Sequence, residues 1–385
     1  MTVEAVGAIR MGARVAVTIL TILFLSAAGT KASAQWTVGN TSHAWAGYNS
    51  AFLYTNGSGH DTFAAKENGS SAVSFWMFAE EIEIAVDAYS WAQTNDSGNL
   101  SSYASEITSL INGFNDAHAS WWNGADSYDD DMLWATIAFT RAYQALGTAA
   151  WLTDAENGFN KVYSRGHANN GGIYWNSSCE SGCSSWYENS AANWTFVIAG
   201  RLIDNNNGHT GSYKSEADSV YSWAKTNLYN AGTGQIYDGV NSSGTNAGQY
   251  SYNYGTAIGA GSEESDNTLI SNVSNYLMND LPNYNGVVGG YNILPNYDTA
   301  ETGQDGGGFN GITMRWLHVA DVHGSISSTV EAWARANITQ AWSIREYSSG
   351  DPYYLMWDNW MSPTPTTGLY SWDCSSAMAG MFDWQ

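Results

Sequence analysis

Apolar residues recur along most of the chain at intervals of three and four positions, the spacing of one face of an α-helix. In the first such segment Phe75, Phe78, Ile82, Val86 and Tyr89 share a face. Segments rich in Gly, Asn and Ser separate the periodic stretches and end them. The pattern predicts eleven helices, over residues 73–94, 101–118, 130–146, 150–165, 189–203, 213–228, 256–261, 269–281, 310–322, 329–346 and 371–383.

Strand patterns are scarce, so the chain is predicted to be all-α. Its loops alternate between short and long, which is typical of helical hairpins arranged in a ring. We therefore expect an (α/α)6 barrel, with inner helices lining it, outer helices around them, and the long loops carrying a site at one end. An α-solenoid also stacks helix pairs, but no fixed sequence period supports one. Segments 45–65 and 283–308 are expected to be irregular.

The N-terminus has the pattern of a secretory signal peptide. Arg10 and Arg14 precede an apolar run over 15–28, and an Ala-Ser-Ala cleavage pattern ends at Ala34. The apolar run is too short for a good membrane span, although an uncleaved anchor is the alternative. We expect a signal peptide over 1–34, a single domain over 35–385, no membrane span, and a secreted, extracellular protein.

Charge narrows the class of ligand. The 385 residues carry a net charge of −23 with only 13 Lys and Arg. A nucleic-acid backbone would be repelled, and phosphate-rich substrates are disfavoured. We expect a monomer with no nucleic-acid partner. The histidines show no metal-ligand spacing, so no metal and no cofactor are predicted.

Cysteines and sequons fit an extracellular protein. Cys179 and Cys183 lie in a short loop that could close as a disulfide, and Cys374 is expected to be a buried small side chain. Asn-x-Ser/Thr sequons, for example at Asn40 and Asn176, would carry glycans in a eukaryotic host. Asn- and Ser-rich loops also produce such sequons by chance.

Aromatic residues suggest a sugar ligand. The chain has 19 Trp and 24 Tyr but only 11 Phe, and indole N–H groups need partners that a core alone rarely supplies. The apolar face of a pyranose stacks on such rings, while Asp and Asn bind its hydroxyls. The stacking candidates, about half of which we expect in the core, are Trp121, Trp122, Trp134, Trp175 and Trp186.

Three consecutive acids, Asp129, Asp130 and Asp131, open the helix predicted over 130–146. Acids at a helix N-terminus commonly cap free N–H groups. Capping explains one Asp better than three, and the alternative is a carboxylate pair flanking a glycosidic bond.

Several blocks then resemble, in order, the endo-α-1,6-mannanases of glycoside hydrolase family 76. They are YDDDMLWATIAFTRAYQALG, GGIYW, YENSAANWTFVIAGRL, YSYNYGTAIGA and GGGFNGITMRWL, and the resemblance spans residues 75–381. It implies an (α/α)6 barrel and retaining hydrolysis of α-1,6-mannan by adjacent aspartates. Counted back from Trp134, the nucleophile and the general acid/base are Asp130 and Asp131; the register Asp129 and Asp130 stays open.

The predicted substrate-binding residues are Asp129, Trp134, Trp175, Asn189, Asn193, Tyr252, Asn253 and Asp305. Asp305 falls in a family-like position, and Asp129 could cap the helix instead of binding a sugar hydroxyl. Each Asn could instead cap a helix. Arg315 is expected to pair with a carboxylate, and Glu80, Glu81 and Glu83 to form a solvated helix face.

The chain departs from the family pattern at Ala135, Glu188, Tyr254 and Asn310. The function expected from the resemblance is a secreted endo-α-1,6-mannanase, with transglycosylation left open. The alternative is a wall-associated mannan-binding protein that has lost turnover. A polysaccharide lyase is disfavoured because the chain has few cations to bind a uronate.

Overall fold

The computed structural model describes residues 36–179, 186–299, 302–346 and 353–385. Over these residues all eleven predicted helices are present, with ends that differ from the prediction by a few residues. One further helix precedes them. The helices are α1 (Val38–Phe52), α2 (Phe75–Asn95), α3 (Leu100–Ala117), α4 (Asp129–Leu146), α5 (Ala149–Gly166), α6 (Ser190–Asn206), α7 (Tyr213–Asn227), α8 (Ser251–Glu263), α9 (Asn267–Asn279), α10 (Phe309–Val322), α11 (Ser328–Ser343) and α12 (Ser371–Asp383).

The even-numbered helices form a closed inner ring. Each packs on the next, α2 on α4, α4 on α6, α6 on α8, α8 on α10 and α10 on α12, and α12 packs back on α2. The odd-numbered helices lie outside, each against an inner neighbour: α3 on α2, α5 on α4, α7 on α6, α9 on α8, and α1 and α11 on α12. The predicted all-α (α/α)6 barrel is confirmed.

Small residues let the inner helices approach each other closely. A Cβ added at Gly255 on α8 would lie 2.6 Å from the Cα of Thr313 on α10. Helix α8 is buried along almost its whole length. The prediction of a helix over only 256–261 was therefore too short, because its flanking Ser, Asn and Tyr residues are packed against neighbours rather than exposed in a loop.

The expectation of an irregular segment over 45–65 was wrong for its first part. Helix α1 begins at a capping box in which Thr37 and Asn40 exchange hydrogen bonds. Trp45, Tyr48 and Phe52 then form an apolar stripe at helical spacing and are buried. The stripe packs on α12 and therefore helps to cover the ring where it closes.

Short antiparallel strands lie in the loops between the helices. They are β1 (Leu53–Thr55), β2 (Asp61–Phe63), β3 (Tyr187–Asn189), β4 (Gly239–Asn241), β5 (Gly244–Asn246), β6 (Gly286–Val288) and β7 (Tyr291–Ile293). Strand β1 pairs with β2, β3 with β4, β4 with β5, and β6 with β7. The loop predicted over 283–308 thus contains a hairpin. Pairing of β3 with β4 brings the loop after α5 against the loop after α7, which matters for the site.

A buried ionic network, formed by Glu80, Glu83, Asp87, Arg141 and Arg315, joins three inner helices. Arg315 Nε donates to Asp87 Oδ2 at 2.7 Å and its Nη1 to Glu80 Oε2 at 2.5 Å. Arg141 donates to Glu83 at 2.7 Å and to Asp87 at 2.5 Å. The expected carboxylate partner of Arg315 is confirmed.

The expectation that Glu80, Glu81 and Glu83 form a solvated face was wrong, because all three are at most 1% exposed. Helix α2 is an inner helix, so its acidic side faces the barrel interior. Glu81 lies apart from the network and accepts a hydrogen bond from the hydroxyl of Tyr48 at 3.1 Å.

Within the described part of the chain no helix is long and apolar enough to cross a membrane. The predicted signal peptide over 1–34 lies outside the described residues. Cys374 is buried and free, as expected. Cys179 is disulfide-bonded, but Cys183 lies outside the described residues, so its pairing with Cys179 stays a prediction.

Candidate active site

A cavity of about 890 Å³ opens at one end of the barrel. Its walls include residues at or just before the starts of five inner helices, such as Trp76 on α2, Asp131 on α4, Ala191 on α6, Tyr252 on α8 and Phe309 on α10. The N-termini of these inner helices therefore point toward one place. Their free N–H groups and dipoles favour negative charge there, which suits a site that must hold an ionised carboxylate.

Asp130 lies in this cavity and accepts three N–H hydrogen bonds. The backbone N–H of Asp131 donates to Oδ1 at 3.1 Å, while Trp175 Nε1 and Asn189 Nδ2 donate to Oδ2 at 2.9 and 3.4 Å. Hydrogen bonds of this kind stabilise the charged form of a carboxyl group. They also fix its orientation, so Asp130 is held as an acceptor facing the cavity.

Asp131 also lines the cavity but is surrounded by acids rather than donors. Burial and the nearby Asp130, Asp126 and Asp305 raise the pKa of Asp131 to about 9. Burial raises the pKa of Asp130 to about 7, with the bonds from Asn189, Asp131 and Trp175 acting against it. The two groups titrate as a pair, and we expect one proton to be shared unequally and to stay mainly on Asp131.

Asp129 does not reach the cavity. It is fully buried, and Arg165 Nε donates to its Oδ1 at 2.6 Å. Arg165 also donates to the backbone carbonyl of Asp126 at 2.9 Å and so fixes the turn before α4. The expectation that Asp129 binds substrate needs correction on geometry, because its carboxylate is turned into the protein. This placement favours the register Asp130 and Asp131.

The three predicted Asn residues separate into one at the cavity and two behind it. Asn189 lines the cavity and caps α6 by accepting from the N–H of Ala192 at 2.9 Å. Asn193 is fully buried and bonds both backbone groups of Ile173. Asn253 is also fully buried and donates to Asp238. Asn193 and Asn253 therefore do not line the cleft as expected; they hold its walls in place.

The predicted aromatic residues Trp134, Trp175 and Tyr252 all lie in the cavity wall, as does Asp305. Trp175 is 37% exposed and packs against Tyr128, with ring centroids 4.8 Å apart and planes tilted by 39°. Tyr252 stacks at 4.1 Å on Phe309. Two aromatic platforms thus flank the Asp pair, and the exposed ring faces can contact a sugar. Trp121 is buried in the core, away from the cavity.

Asp238 is the main cavity residue that was not predicted. Tyr187 and Asn246 donate hydrogen bonds to its Oδ2, and Asn253 donates to Oδ1 at 3.1 Å. It comes directly before β4, and the pairing of β4 with β3 carries it to the cavity. No local sequence motif marks it. Further unpredicted lining residues include Trp76, Tyr128, Tyr250 and Tyr297.

The departures from the family pattern lie outside the cavity. Glu188, Tyr254 and Asn310 are all at most 2% exposed and none lines the cavity wall. Glu188 accepts a hydrogen bond from Asn170 at 2.8 Å, and Asn310 bonds Ser251 and the carbonyl of Pro295. These residues therefore act on packing. In the described residues no group of three His, Cys, Asp or Glu side chains could hold a metal ion.

Comparison with known proteins identifies the family. The model of glycosyl hydrolase family 76 matches residues 30–381. The chain belongs to this family. No curated protein matches its sequence closely enough to serve as a relative. The fold can instead be compared with solved structures of family 76.

One similar structure is the α-1,6-mannanase of Salegentibacter sp., with a TM-score of 0.73 and 19% identity over 89% of this chain and 97% of that one. An inactive variant of the same enzyme, with two successive aspartates changed to alanine, was solved with an α-1,6-linked mannotetraose; its TM-score is 0.75 at 18% identity, over 91% of this chain and 99% of that one. Dfg5 from Chaetomium thermophilum, solved with glucosamine, has a TM-score of 0.64 at 14% identity. The match covers 90% of this chain and 89% of that one.

Proposed function

We propose that this family 76 glycoside hydrolase is a secreted, retaining endo-α-1,6-mannanase. The observation that carries the proposal is the asymmetry of the Asp pair in the cavity. Asp130 accepts three N–H hydrogen bonds, whereas Asp131 is surrounded by Asp126, Asp130 and Asp305. Such an asymmetry separates the pKa values of two carboxyls and assigns them different roles.

In the first step Asp130 attacks the anomeric carbon of the mannosyl unit. Asp131 donates its proton to the glycosidic oxygen, which leaves as the 6-hydroxyl of the next sugar. The product on the enzyme is a covalent mannosyl ester of Asp130, with inverted configuration at the anomeric carbon. Retaining enzymes place their carboxyls about 5 to 5.5 Å apart, within reach of neighbouring Asp side chains at a helix start.

In the second step Asp131, now ionised, takes a proton from a water molecule. The resulting hydroxide attacks the anomeric carbon and releases Asp130, so two inversions give net retention. A sugar hydroxyl in place of water would give transglycosylation by the same chemistry. The aromatic platforms of Trp175 with Tyr128 and of Tyr252 with Phe309 would hold sugar units on either side of the cleaved bond.

The substrate class is supported by the similar structures, whose names describe an α-1,6-mannanase and its complexes with α-1,6-linked mannose oligosaccharides. The alternative of a mannan-binding protein without turnover rested on the departures at Glu188, Tyr254 and Asn310. These side chains lie outside the cavity, so they give that alternative no support from the site itself.

The test is hydrolysis of linear α-1,6-mannan by the purified protein, beside Asp130→Asn and Asp131→Asn. We expect wild type to release oligosaccharides of several lengths, with the α-anomer appearing first in the NMR spectrum, and both variants to lose activity. Full activity in Asp131→Asn would overturn the register. Release of a single small product would contradict endo action, and retained binding of mannan without cleavage by wild type would favour the binding protein.

A further inference from the structure

The three acids at the start of α4 project in different directions. Successive residues of an α-helix lie about 100° apart around its axis, so Asp129 and Asp131 project to opposite sides, with Asp130 between them. Asp129 is bonded by Arg165 at the end of α5. Asp130 is bonded by Asn189 at the start of α6. Asp131 is therefore turned away from α5 and α6 and toward α2, the other inner helix that packs on α4.

The charged neighbours of Asp131 are consistent with this direction. Burial raises the pKa of Asp131, and Asp130, Asp126 and Asp305 act in the same sense. Asp305 begins a short 3-10 helix, Asp305–Gly308, that leads into α10. This segment packs on α12, which lies between α10 and α2 in the ring. The carboxyl group that gives up its proton thus faces the part of the cavity between α2 and α10.

Trp76 and Asp305 lie together in that part of the cavity wall. Burial raises the pKa of Asp305, and a hydrogen bond from the side chain of Trp76 acts against it. Asp305 nevertheless remains exposed, so its carboxylate has further acceptor positions open to the hydroxyl groups of a ligand. Trp76 is half-buried, so part of its ring also remains accessible from the cavity. An accessible aromatic face beside a carboxylate is suited to a sugar.

Trp372 of α12 holds both residues from behind. Its ring meets Trp76 edge-on, with centroids 4.7 Å apart and an interplanar angle of 77°. Its Nε1 donates to the backbone carbonyl of Asp305 at 3.0 Å. A Cβ added at Gly308 would lie 1.9 Å from the Trp372 ring, so a glycine is needed for the segment after Asp305 to pack this closely. Side chains fixed in this way lose little conformational entropy when a ligand contacts them.

We propose that Trp76 and Asp305 bind the sugar unit that leaves in the first step, on the aglycone side of the cleaved bond. The inference rests on the proposed function. A general acid must lie beside the glycosidic oxygen that it protonates, so the departing sugar lies on the side of Asp131. There the Trp76 ring would pack on the apolar face of that sugar, and Asp305 would accept a hydrogen bond from one of its hydroxyls. The pair adds a third sugar contact to the two aromatic platforms, next to the proton donor.

Two substrates separate the two sides of the cleaved bond. α-1,6-Mannotetraose loses a sugar as its leaving group, whereas α-1,6-mannotriosyl fluoride loses fluoride, which needs neither a sugar subsite nor a proton from an acid. In both, Asp130 attacks the anomeric carbon as the bond to the leaving group breaks. The ratio of kcat/KM for the tetraose to kcat/KM for the fluoride therefore reports on the leaving-group side. Measurement at pH 7, below the pKa of about 9 of Asp131, keeps that acid protonated.

Trp76→Ala and Asp305→Asn should each lower this ratio by about tenfold, since each removes one contact with the leaving sugar. Trp76→Phe keeps an aromatic face and should recover most of the ratio. Asp238→Asn is the matched control, because it is the same acid-to-amide change in the same cavity. Burial raises the pKa of Tyr252, and Asp238 and Asp130 add to that shift, which places Asp238 on the nucleophile's side. The control should therefore lower kcat/KM for both substrates and leave their ratio unchanged.

A misfolded variant loses both activities together, so the ratio separates lost binding from lost folding. An unchanged ratio in either Trp76→Ala or Asp305→Asn, with wild type active on the tetraose, overturns the subsite and leaves the proposed function standing. A ratio that falls equally in Asp238→Asn also overturns the subsite, because the effect would not be specific to the side of the proton donor. Cleavage of neither substrate by wild type contradicts the proposed function itself, and the subsite with it.

Discussion

Two regions of the barrel each bury a cluster of carboxyl groups, the cavity and the ionic network. They shift the pKa values of those groups in opposite directions. In the cavity, Asp130 and Asp131 have no cation among their hydrogen-bond partners, and their pKa values are raised. In the buried ionic network, burial acts to raise the pKa of Asp87, but the attraction of Arg141 and Arg315 outweighs it and lowers that pKa. Both regions use acids of inner helices.

The difference shows that burial alone does not decide the protonation of a carboxyl group. Where two arginines bond one carboxylate, the charge is kept and contributes to packing. Where a carboxyl lies among other acids, a proton is retained and is available for chemistry. Glu80 lies between these cases, since burial and Glu83 raise its pKa although Arg315 bonds it. Among the described residues Glu81 has no cationic partner, and burial raises its pKa to about 8.

The largest expected effect is on kcat, and it comes from substituting the two aspartates of the cavity. Asp130→Asn and Asp131→Asn should each lower kcat by about 10³- to 10⁴-fold, because each removes a reacting group. Both should raise the thermal midpoint at pH 8, since a carboxyl with a raised folded pKa costs stability as pH rises toward that pKa. Asp87→Asn should do the reverse in stability, lowering the midpoint at the same pH. Equal destabilisation by all three variants would remove the distinction between the regions.

The next effect tests the network itself. Arg315→Met should destabilise the fold by about 3–5 kcal/mol, because it leaves Asp87 and Glu80 buried with fewer cations. The matched control is Arg201→Met. The partners of Arg201, Asp218 and Glu264, lie 3.4 and 3.5 Å away near the surface, so this substitution should lower the free energy of unfolding by about 1 kcal/mol or less. Urea denaturation measures both. A similar loss for the two variants would mean that the network contributes no more than a surface pair.

A third prediction concerns pH and Glu81. Its folded pKa lies above its unfolded value, so its contribution to stability is present at low pH and is lost as pH rises from about 4.5 to about 8. Glu81→Gln should therefore be roughly 1–3 kcal/mol more stable than wild type at pH 8 and nearly equal to it at pH 4.5. Denaturation at the two pH values measures this. A gain independent of pH would place the cause in packing.

The smallest effect probes the hydrogen bond that Trp175 donates to Asp130. This bond lowers the pKa of Asp130, so Trp175→Phe should move the acidic limb of the pH–kcat profile upward, by about half to one pH unit. The ring face is kept, so KM should change little. Tyr128→Phe is the control, because Tyr128 packs against Trp175 but makes no hydrogen bond to Asp130 among the described residues. An unmoved limb would exclude a role for the indole N–H in tuning the nucleophile.

The sequence was sufficient for the features that depend on local spacing. Periodicity located the helices, and the family resemblance, counted back from Trp134, singled out Asp130 and Asp131, which both line the cavity. It was not sufficient for Asp238, which reaches the cavity through pairing of β4 with β3 some fifty residues earlier in the chain. It also misplaced Glu80 and Glu83, since their partner Arg315 lies 235 residues from Glu80. Asn193 and Asn253 were predicted by motif position, but their side chains turn toward backbone and Asp238.

Closure of the inner ring has a consequence for biosynthesis. Helix α2 leaves the ribosome early, whereas its ring neighbour α12 is made almost three hundred residues later. Until then the apolar side of α2 that faces α12, and the side of α10 that also packs there, have no partner. A nascent chain of this topology cannot close its barrel until α12 has been made, and contacts between such distant segments form slowly. During that interval the exposed apolar sides of α2 and α10 make the incomplete chain prone to aggregate.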